Sequence, residues 1–478
     1  MPKVVVIGAG VSGLTIGWEL LSRGLAQEDL AVLEAGDRPG GNIWTEKVDG
    51  FTVEAGPNGF LNNSPPTLDL VGRLGMDDRL LPSRSAAAIR FIFRKGRLHR
   101  LPTSPPALLG SPLLSWPGRL RIFMEPLIPK GGGPDESVFD FAARRIGREA
   151  AAVLVDAMVS GVFAGDARRL ELRAAFPRMA DMEERYGGLV KAFLAMRKRQ
   201  RPRPGAGAPA GDAPSAAAPR GGPAGPGGHL TSFKDGMEEL VRTLAARLGS
   251  SLRPRSAVAA IAREGPSFRI DLSGGERLSA EALVLSCPAP IAARLVRGLD
   301  GDLASALGDI PTAPVAVVAT MYKLADLERE PFGFGFLVPR GQGVRILGSL
   351  WTSSIWEGRA PEGTALLRTM IGGAHDPDGA FLDDAEMLDV VARDLAAAMG
   401  LTAAPVLHRI YRHRLGIPQY PPGHTALRLR IRKRLNESHP GLFVSGSSYG
   451  GVSVNHCVAE APKVADRVME RLGAAASA

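Results

Sequence analysis

Cysteine is nearly missing from this chain: Cys287 and Cys457 are the only two among 478 residues. Two cysteines, neither in a C-x-x-C pair, exclude a disulfide-stapled secreted scaffold and a dithiol redox motif, and they predict a reducing compartment. No run of 18 apolar residues free of charge occurs, so no membrane-spanning helix is expected. The first apolar run begins at Val4, which leaves no room for a basic segment, an apolar core and a cleavage site, and no signal peptide is expected. Aromatic residues make up 6% of the chain. The basic runs Arg197-Lys198-Arg199 and Arg430-Ile431-Arg432-Lys433-Arg434 have no interleaved rings for base stacking, so nucleic acid is not expected as a partner. H-E-x-x-H, a Ser-His-Asp or Cys-His pairing and a metal-ligand cluster are all missing from the sequence pattern, so no metal and no catalytic side chain is expected. The eight histidines receive no catalytic role; His375 and His424 read as turn residues.

What is present has the scale of a two- or three-domain globular protein, since single cores stop growing near roughly 250–300 residues. The apolar fraction is 45% and the mean hydropathy +0.02. A net charge of +9 and a pI of about 9.8 leave an anionic membrane surface or an acidic substrate as partners. A cytoplasmic protein, peripheral to the inner face of the cell membrane at most, is the expectation.

The most informative stretch is Lys3-Val-Val-Val-Ile-Gly-Ala-Gly-Val-Ser-Gly13. Val4 to Ile7 suits a strand buried on both faces, and Gly8, Gly10 and Gly13 form G-x-G-x-x-G at a helix start. Gly8 permits the tight turn, Gly10 lets backbone approach a pyrophosphate, and Gly13 lets the helix, expected from Leu14 to Arg23, pack on the strand. Residues Gly8, Ala9, Gly10, Val11, Ser12 and Gly13 would thus cradle phosphates at a helix N-terminus. A second strand, Leu30 to Leu33, ends at Glu34, about 20 residues past the last glycine, where a ribose hydroxyl would meet its carboxylate. Arg38, Gly40 and Gly41 follow as E-x-x-x-R-x-G-G, and Gly56-Pro57-Asn58-Gly59-Phe60 follows the short strand Phe51 to Glu54. In these elements the chain resembles the flavin-dependent amine oxidase superfamily, which implies FAD as the cofactor.

Downstream, Ile89 to Phe93 and Gly96 to Leu101 read as a hairpin. A leucine-rich stretch broken by prolines follows, which prevents one long helix, and then short helices at 120–125, 137–146 and 150–158. That segment either packs as core or touches a bilayer interface. Residues 201–228 collapse to Ala, Pro and Gly and predict a flexible surface loop. The expected fold is α/β. A discontinuous Rossmann-like FAD-binding domain takes residues 1–83, 229–300 and 425–478, and a mainly helical, membrane-facing domain takes 84–200. A mixed-sheet substrate domain takes 301–424, built on strands at 314–323, 333–338, 345–351 and 366–371. No internal repeats occur. The C-terminal unit is a strand at 442–445, the loop Gly446-Ser-Ser-Tyr-Gly-Gly-Val-Ser-Val-Asn, and a helix from His456 to Leu472, which suits a flavin gripped at its far end.

Five further motifs run in register along the chain: Val159-Ser-Gly-Val-Phe-Ala-Gly-Asp166, Gly333-Phe-Gly-Phe-Leu-Val-Pro339, Gly416-Ile-Pro-Gln-Tyr420, Gly423-His424 and Gly446 to Cys457. Through them the chain resembles the protoporphyrinogen oxidase family. The resemblance implies a six-electron oxidation of protoporphyrinogen IX to protoporphyrin IX in three two-electron steps, with molecular oxygen as acceptor and hydrogen peroxide released. It implies substrate contacts at Arg90, which pairs with a propionate, and at Gly161, Leu337, Leu347, Leu350 and Met370. It implies cofactor contacts at Gly8 to Gly13, Glu34, Ala35, Arg38, Gly41, Asn42, Gly56 to Gly59 (Gly56, Pro57, Asn58, Gly59), Val258, Val452, Ser453 and Val454. His413 departs from the family, where an aromatic residue is common. Oxidation of coproporphyrinogen III, an amine oxidase activity, a non-catalytic FAD-containing tetrapyrrole carrier and a homodimer all remain open.

Overall fold

Val4–Ile7 lies inside a five-stranded parallel sheet whose order is Leu252–Arg253, Leu30–Leu33, Val4–Ile7, Ala282–Leu285, Leu442–Val444. The computed structural model describes residues 2–199 and 228–476. The expected loop at 201–228 therefore lies outside the described residues except for Gly228. All four residues of Val4–Ile7 are buried. Val4 and Val6 enter one core with the helices Val11–Ser22, Glu238–Leu248 and Val454–Ala476, while Val5 and Ile7 enter another with the sheet of Val258–Glu264, Ser267–Leu272 and Arg277–Ala280. A parallel strand covered on both faces reads as a continuous apolar run for this reason. Its five strands come from three separate stretches of chain, so the sheet is discontinuous in sequence.

A second sheet of seven strands runs in the order Leu407–Pro418, Thr312–Lys323, Thr364–Gly372, Ile346–Trp351, Gly335–Leu337, Arg90–Arg94, Arg97–Arg100. The expected hairpin is present. Lys95 and Gly96 both take positive φ, as a two-residue hairpin loop requires. That hairpin does not stay with the helical segment in which the sequence places it: Arg90, Phe91 and Ile92 pair in parallel with Gly335, Phe336 and Leu337. Nor does the sequence pattern reveal the twelve-residue edge strand Leu407–Pro418, whose charged and aromatic side chains hide its alternation.

One face of this sheet packs on the helix Asp384–Met399 through Ala316, Val318, Phe336, Ile371, Val391 and Leu395. Asp383 caps that helix by accepting from the Glu386 amide at 2.8 Å, which explains why the periodic pattern starts there. The opposite face packs Val317, Ala319, Met321 and Tyr411 against Phe51, Val53 and Ala55, so it lies directly over the FAD-type segment.

Residues 105–199 are mainly helical. The helix Trp116–Phe123 begins earlier than expected because Ser115 Oγ accepts from the Gly118 amide at 3.2 Å. Arg148–Ala150, a π turn at Ala151–Val155 and Asp156–Phe163 run on continuously, beyond the expected end at residue 158. The fully buried Arg145 pairs with the buried Glu125, and Glu125 also accepts from the Leu189 and Val190 amides at 2.8 and 3.1 Å. No helix among the described residues is long and apolar enough to cross a membrane.

Candidate functional site

The turn after Val4–Ile7 is built as its spacing predicts. Gly8 takes φ +103° and its amide donates to Leu33 O at 2.8 Å. A Cβ on Gly13 would lie 1.9 Å from Gly8 O, so only glycine lets the helix approach so closely. That helix starts at Val11, three residues before the expected Leu14, with Gly10 as an N-cap that offers no side-chain acceptor. Its first amides are left to an outside anion. Ala9 and Gly10 sit against Gly40: the Gly40 amide donates to Ala9 O at 2.7 Å, and Gly10 and Gly40 form a β-bridge. Ser12 is buried.

Glu34 accepts from the Ala9 amide at 3.1 Å and from the Gly36 amide at 2.9 Å, so it fixes the turn with one lone pair of each oxygen and keeps others for a ribose hydroxyl. Ala35 beside it is exposed. The Ser256 amide donates to Glu34 O at 2.7 Å, which brings Val258, two residues on, to the same end of the sheet. Arg38 does not reach outward: it donates to Pro39 O and Ile43 O, both at 3.2 Å, and to Gly41 O at 2.9 Å, and it lies over Trp44.

Asn42 donates to Gly416 O at 3.2 Å, and a Cβ on Gly56 would lie 1.8 Å from Asn42 O. The segment Gly56-Pro57-Asn58-Gly59 is clamped from the large sheet, because His413 Nε2 donates to Ala55 O at 2.7 Å and Arg368 Nη2 donates to Gly56 O at 2.6 Å. On its other side Gly59 lies against backbone; a Cβ there would meet Thr231 O at 2.7 Å. The C-terminal loop closes on the N-terminal turn. A Cβ on Gly446 would sit 3.7 Å from Ser12 Oγ, and the Ser445 amide donates to Leu285 O at 3.0 Å. Ser453 Oγ accepts from the His456 amide at 3.2 Å, so the last helix begins at Val454, two residues before the expected His456. Val452 packs with Ile417 and Tyr420, and Val454 with Phe60 and Leu14.

Several polar atoms here are buried without a partner among the described residues: Ser286 Oγ, Ser445 Oγ, and both the Nδ2 and Oδ1 of Asn58. Each such atom costs about 1–3 kcal/mol. Ser286 Oγ lies beside the Gly8–Gly13 turn and Asn58 belongs to the Gly56 segment, so the residues fit a group rich in phosphate and hydroxyl oxygens. Cys287 lies beside them, but burial pushes its thiol up to about 12, and it stays protonated at neutral pH.

The expected substrate residues gather on one sheet face. Register puts Arg90, Gly335, Leu350 and Arg368 in one cross-strand row and Ile92, Leu337, Gly348 and Met370 in the next. Leu337, Leu350 and Met370 are half-buried where neighbouring rows are fully buried, as side chains lining a slot would be. Leu347 is the extra residue at the bulge between Ile346 and Gly348. Gly161, on the helix Asp156–Phe163, faces Leu337; a Cβ there would come within 2.8 Å of Leu337 Cδ2. Arg90 lies over the Phe334 ring at 4.8 Å and makes no ion pair among the described residues. Burial pulls its pKa down from the usual guanidinium range, the mark of a cation lacking an anion.

The sequence missed Glu54, Arg359 and Arg368, which form a buried charge cluster behind the Gly56 segment. Arginine and glutamate isolated in strand patterns give no signal of such a meeting. It also read His424 as a turn residue. His424 instead opens the helix His424–Ser438, fully buried and stacked on Tyr420 at 4.4 Å, and burial lowers its pKa to about 4. Asp156, Asp166 and His375, far apart in the chain, do come together. Arg340 donates to both aspartates, at 3.2 and 2.9 Å, so their charge is already answered.

The family described as flavin containing amine oxidoreductase matches residues 11–469. The chain belongs to that family. It is a flavoprotein oxidoreductase, and its cofactor is FAD, the form of flavin that carries the pyrophosphate and ribose for which the turn and Glu34 are shaped. Among its relatives are the chloroplastic protoporphyrinogen oxidase of Nicotiana tabacum, 32% identical over 97% of this chain and 85% of the relative, and the protoporphyrinogen oxidase of Homo sapiens, 31% identical over 98% of each. The coproporphyrinogen III oxidase of Bacillus subtilis (strain 168) is 28% identical over 95% of each. A solved structure from Exiguobacterium sp. 255-15, carrying a provisional protoporphyrinogen oxidase name, superposes with a TM-score of 0.81 at 23% identity over 99% of each chain. Cyclohexylamine oxidase from Brevibacterium oxydans IH-35A shares the fold at TM-score 0.69 and 18% identity, covering 99% of each chain.

Proposed function

We propose that this flavoprotein oxidises porphyrinogens, with protoporphyrinogen IX as substrate, in haem biosynthesis. The observation that carries the reading is the half-buried Arg90 without a carboxylate, standing at one end of an apolar sheet face that runs under the FAD segment. Bound FAD supplies the two-electron acceptor, used three times per macrocycle and reoxidised each time by oxygen with release of hydrogen peroxide. The chain's residues bind and orient. Arg90 offers a bidentate fork to a propionate, Leu337, Leu347, Leu350 and Met370 face the ring, and Gly161 lets the Leu337 side chain stand against its backbone. Excluding water is the remaining task, and the apolar lining performs it; no side chain is required as a base, because the pyrrole nitrogens push electrons toward the bridge carbon.

Support for this reading lies in the near full-length similarity to protoporphyrinogen oxidases. The similarity to the Bacillus enzyme keeps coproporphyrinogen III as a second reading, whose four carboxylates would need cations beyond Arg90. Anaerobic mixing of the FAD-loaded protein with each porphyrinogen, followed by flavin absorbance, separates the two: protoporphyrinogen IX is expected to bleach the flavin faster. Faster bleaching by coproporphyrinogen III would reverse the assignment, and binding without bleaching would make the protein a carrier.

The partition into FAD-binding residues 1–83, 229–300 and 425–478, a helical unit within 84–200 that gives up its hairpin at 90–100 to the large sheet, and a substrate unit at 301–424 belongs to the same reading, as does a cytoplasmic location at a membrane face. The last is supported by Trp116, Leu120, Phe123, Met124 and Leu127, between 42% and 77% exposed, beside the exposed Phe193 and Leu194. Arg119 and Arg121, between these side chains in sequence, donate to the carbonyls of Leu109, Leu114, Arg144 and Arg145 and so tie the surface to the helical unit.

A further inference from the structure

Arg368 is 2% exposed and stands in the row that starts with Arg90 and continues through Gly335 and Leu350. Among the described residues it makes one hydrogen bond, from Nη2 to Gly56 O at 2.6 Å, and its Nε has no partner. A guanidinium carries five N–H donors, so this one is under-partnered. Its neighbours compensate it only in part: the nearby Glu54 raises its pKa, but less than burial lowers it. Glu54 is committed elsewhere: it accepts from the Met237 amide and from Thr45 Oγ1, both at 2.8 Å, and its nearest cation is Arg359 at 3.7 Å. Arg359 donates to Ser232 Oγ and Phe233 O, and its own Nε is without a partner among the described residues. Tyr411, whose phenol donates to Glu46 at 2.7 Å, stays neutral because burial raises its pKa. His413 is held uncharged by burial, with Arg368 and Arg38 adding to the effect. Burial raises the Glu54 pKa, so Glu54, Arg359 and Arg368 together carry at least one net positive charge, pressed against the Gly56 backbone. Burial lowers the Arg368 pKa to about 10, which still leaves it charged.

We propose that Arg368 is a positioning residue: it fixes the flavin segment at Gly56 and, as a buried cation with no carboxylate of its own, biases the bound FAD toward its reduced, negatively charged form. The balance is simple. Two electrons and one proton convert oxidised flavin to its hydroquinone anion, and a fixed positive charge close by stabilises the product over the neutral starting form. Such a bias favours electron withdrawal from a porphyrinogen, yet it rests on the FAD assignment and on the Gly56 segment lying against the flavin, not on the identity of the substrate.

The test is the midpoint potential of the full-length holoprotein, by dithionite titration against a reference dye with no porphyrinogen present. In Arg368→Gln the oxidised-to-reduced equilibrium is expected to move about tenfold toward oxidised flavin, about 30 mV for a two-electron couple. Arg368→Lys is expected to remain within about threefold of wild type. Glu54→Gln, which removes a negative charge from the same cluster, is expected to shift the equilibrium the opposite way. Opposite signs for opposite charges are not what a purely structural defect produces. Unchanged potentials in Arg368→Gln overturn the proposal, as does a shift of the same sign in both variants. Where Arg368→Gln yields no folded flavoprotein, Arg368→Met is titrated in its place, and a potential equal to that of wild type overturns the role assigned here. Wild-type protein that takes up no flavin overturns the cofactor assignment as well, an outcome read separately from the flavin-to-protein absorbance ratio.

Discussion

Single atoms decide two properties of the site. A methyl group at position 13 would stand 1.9 Å from Gly8 O, and the backbone on both sides is held by the sheet and the helix start, so it cannot yield freely. Overpacking of this kind costs about 1–3 kcal/mol, and the cost falls on the state that binds FAD. Gly13→Ala is therefore expected to weaken FAD binding about 10- to 100-fold, seen as a lower ratio of flavin to protein absorbance after dialysis. Arg90 is the converse case, a side chain wanted for its charge. Losing a charge-assisted hydrogen bond to a carboxylate removes about 1.5–3 kcal/mol, so Arg90→Met is expected to lower kcat/KM for protoporphyrinogen IX about 10- to 100-fold, mostly through KM. Unchanged steady-state constants would place the propionate elsewhere. Both residues were legible beforehand, one from glycine spacing and one from resemblance. Arg368 was not, because nothing along the chain says that residue 368 meets residue 56.

Helices and strands carry the next set of consequences. The helical unit is tied together by Arg145, 0% exposed, between Glu125 and Glu183. Removing one member of a buried pair leaves its partner's charge uncompensated and costs about 3–5 kcal/mol. Glu125→Gln is expected to cost about 3 kcal/mol in denaturant unfolding, with the 116–127 and 189–199 helices becoming the first sites of proteolysis. Asp300 does a comparable job for the C-terminal unit. It caps the helix Gly301–Gly308 by accepting from the Leu303 amide at 3.0 Å, and it accepts from Arg434 Nε and pairs with His439 Nε2, both at 2.7 Å. The Arg434 guanidinium, the largest influence, holds its carboxyl well below the ordinary value of 3.8. A carboxylate depressed in the folded state adds stability that is fully present above its unfolded pKa and is lost as pH falls toward the folded one. The stability gap between wild type and Asp300→Asn is thus expected to be constant above about pH 5 and to shrink below about pH 4; a gap that persists unchanged to pH 2 would contradict this. Element boundaries were read within a few residues where a cap marks them, as at Ser137 and Asp383. The edge strand Leu407–Pro418 was missed, since an arginine-rich edge has no alternation to read.

Over the whole molecule, the exposed apolar surface on residues 116–127 lies next to the helix that carries Phe193 and Leu194, on a protein with an overall charge of +9. Anionic lipid attracts such a surface and buries its rings. The triple variant Trp116→Ser, Phe123→Ser, Leu127→Ser is expected to lose most co-sedimentation with anionic vesicles while keeping its FAD and its unfolding midpoint; equal binding by both proteins would remove the membrane role.

By itself the sequence determined the cofactor end of this protein. Strand, glycine turn, helix and acid are local features whose spacing is dictated by backbone geometry, and they can be read without knowing what surrounds them. It also determined the class of the C-terminal strand, loop and helix. Only the tertiary structure decided what those units face: that the hairpin at Arg90 joins the sheet of Leu337, Leu350 and Met370, that the last helix packs on the first, and that three buried charges meet behind Gly56. Contacts between residues hundreds of positions apart depend on how layers stack, and no local pattern of side chains encodes that stacking.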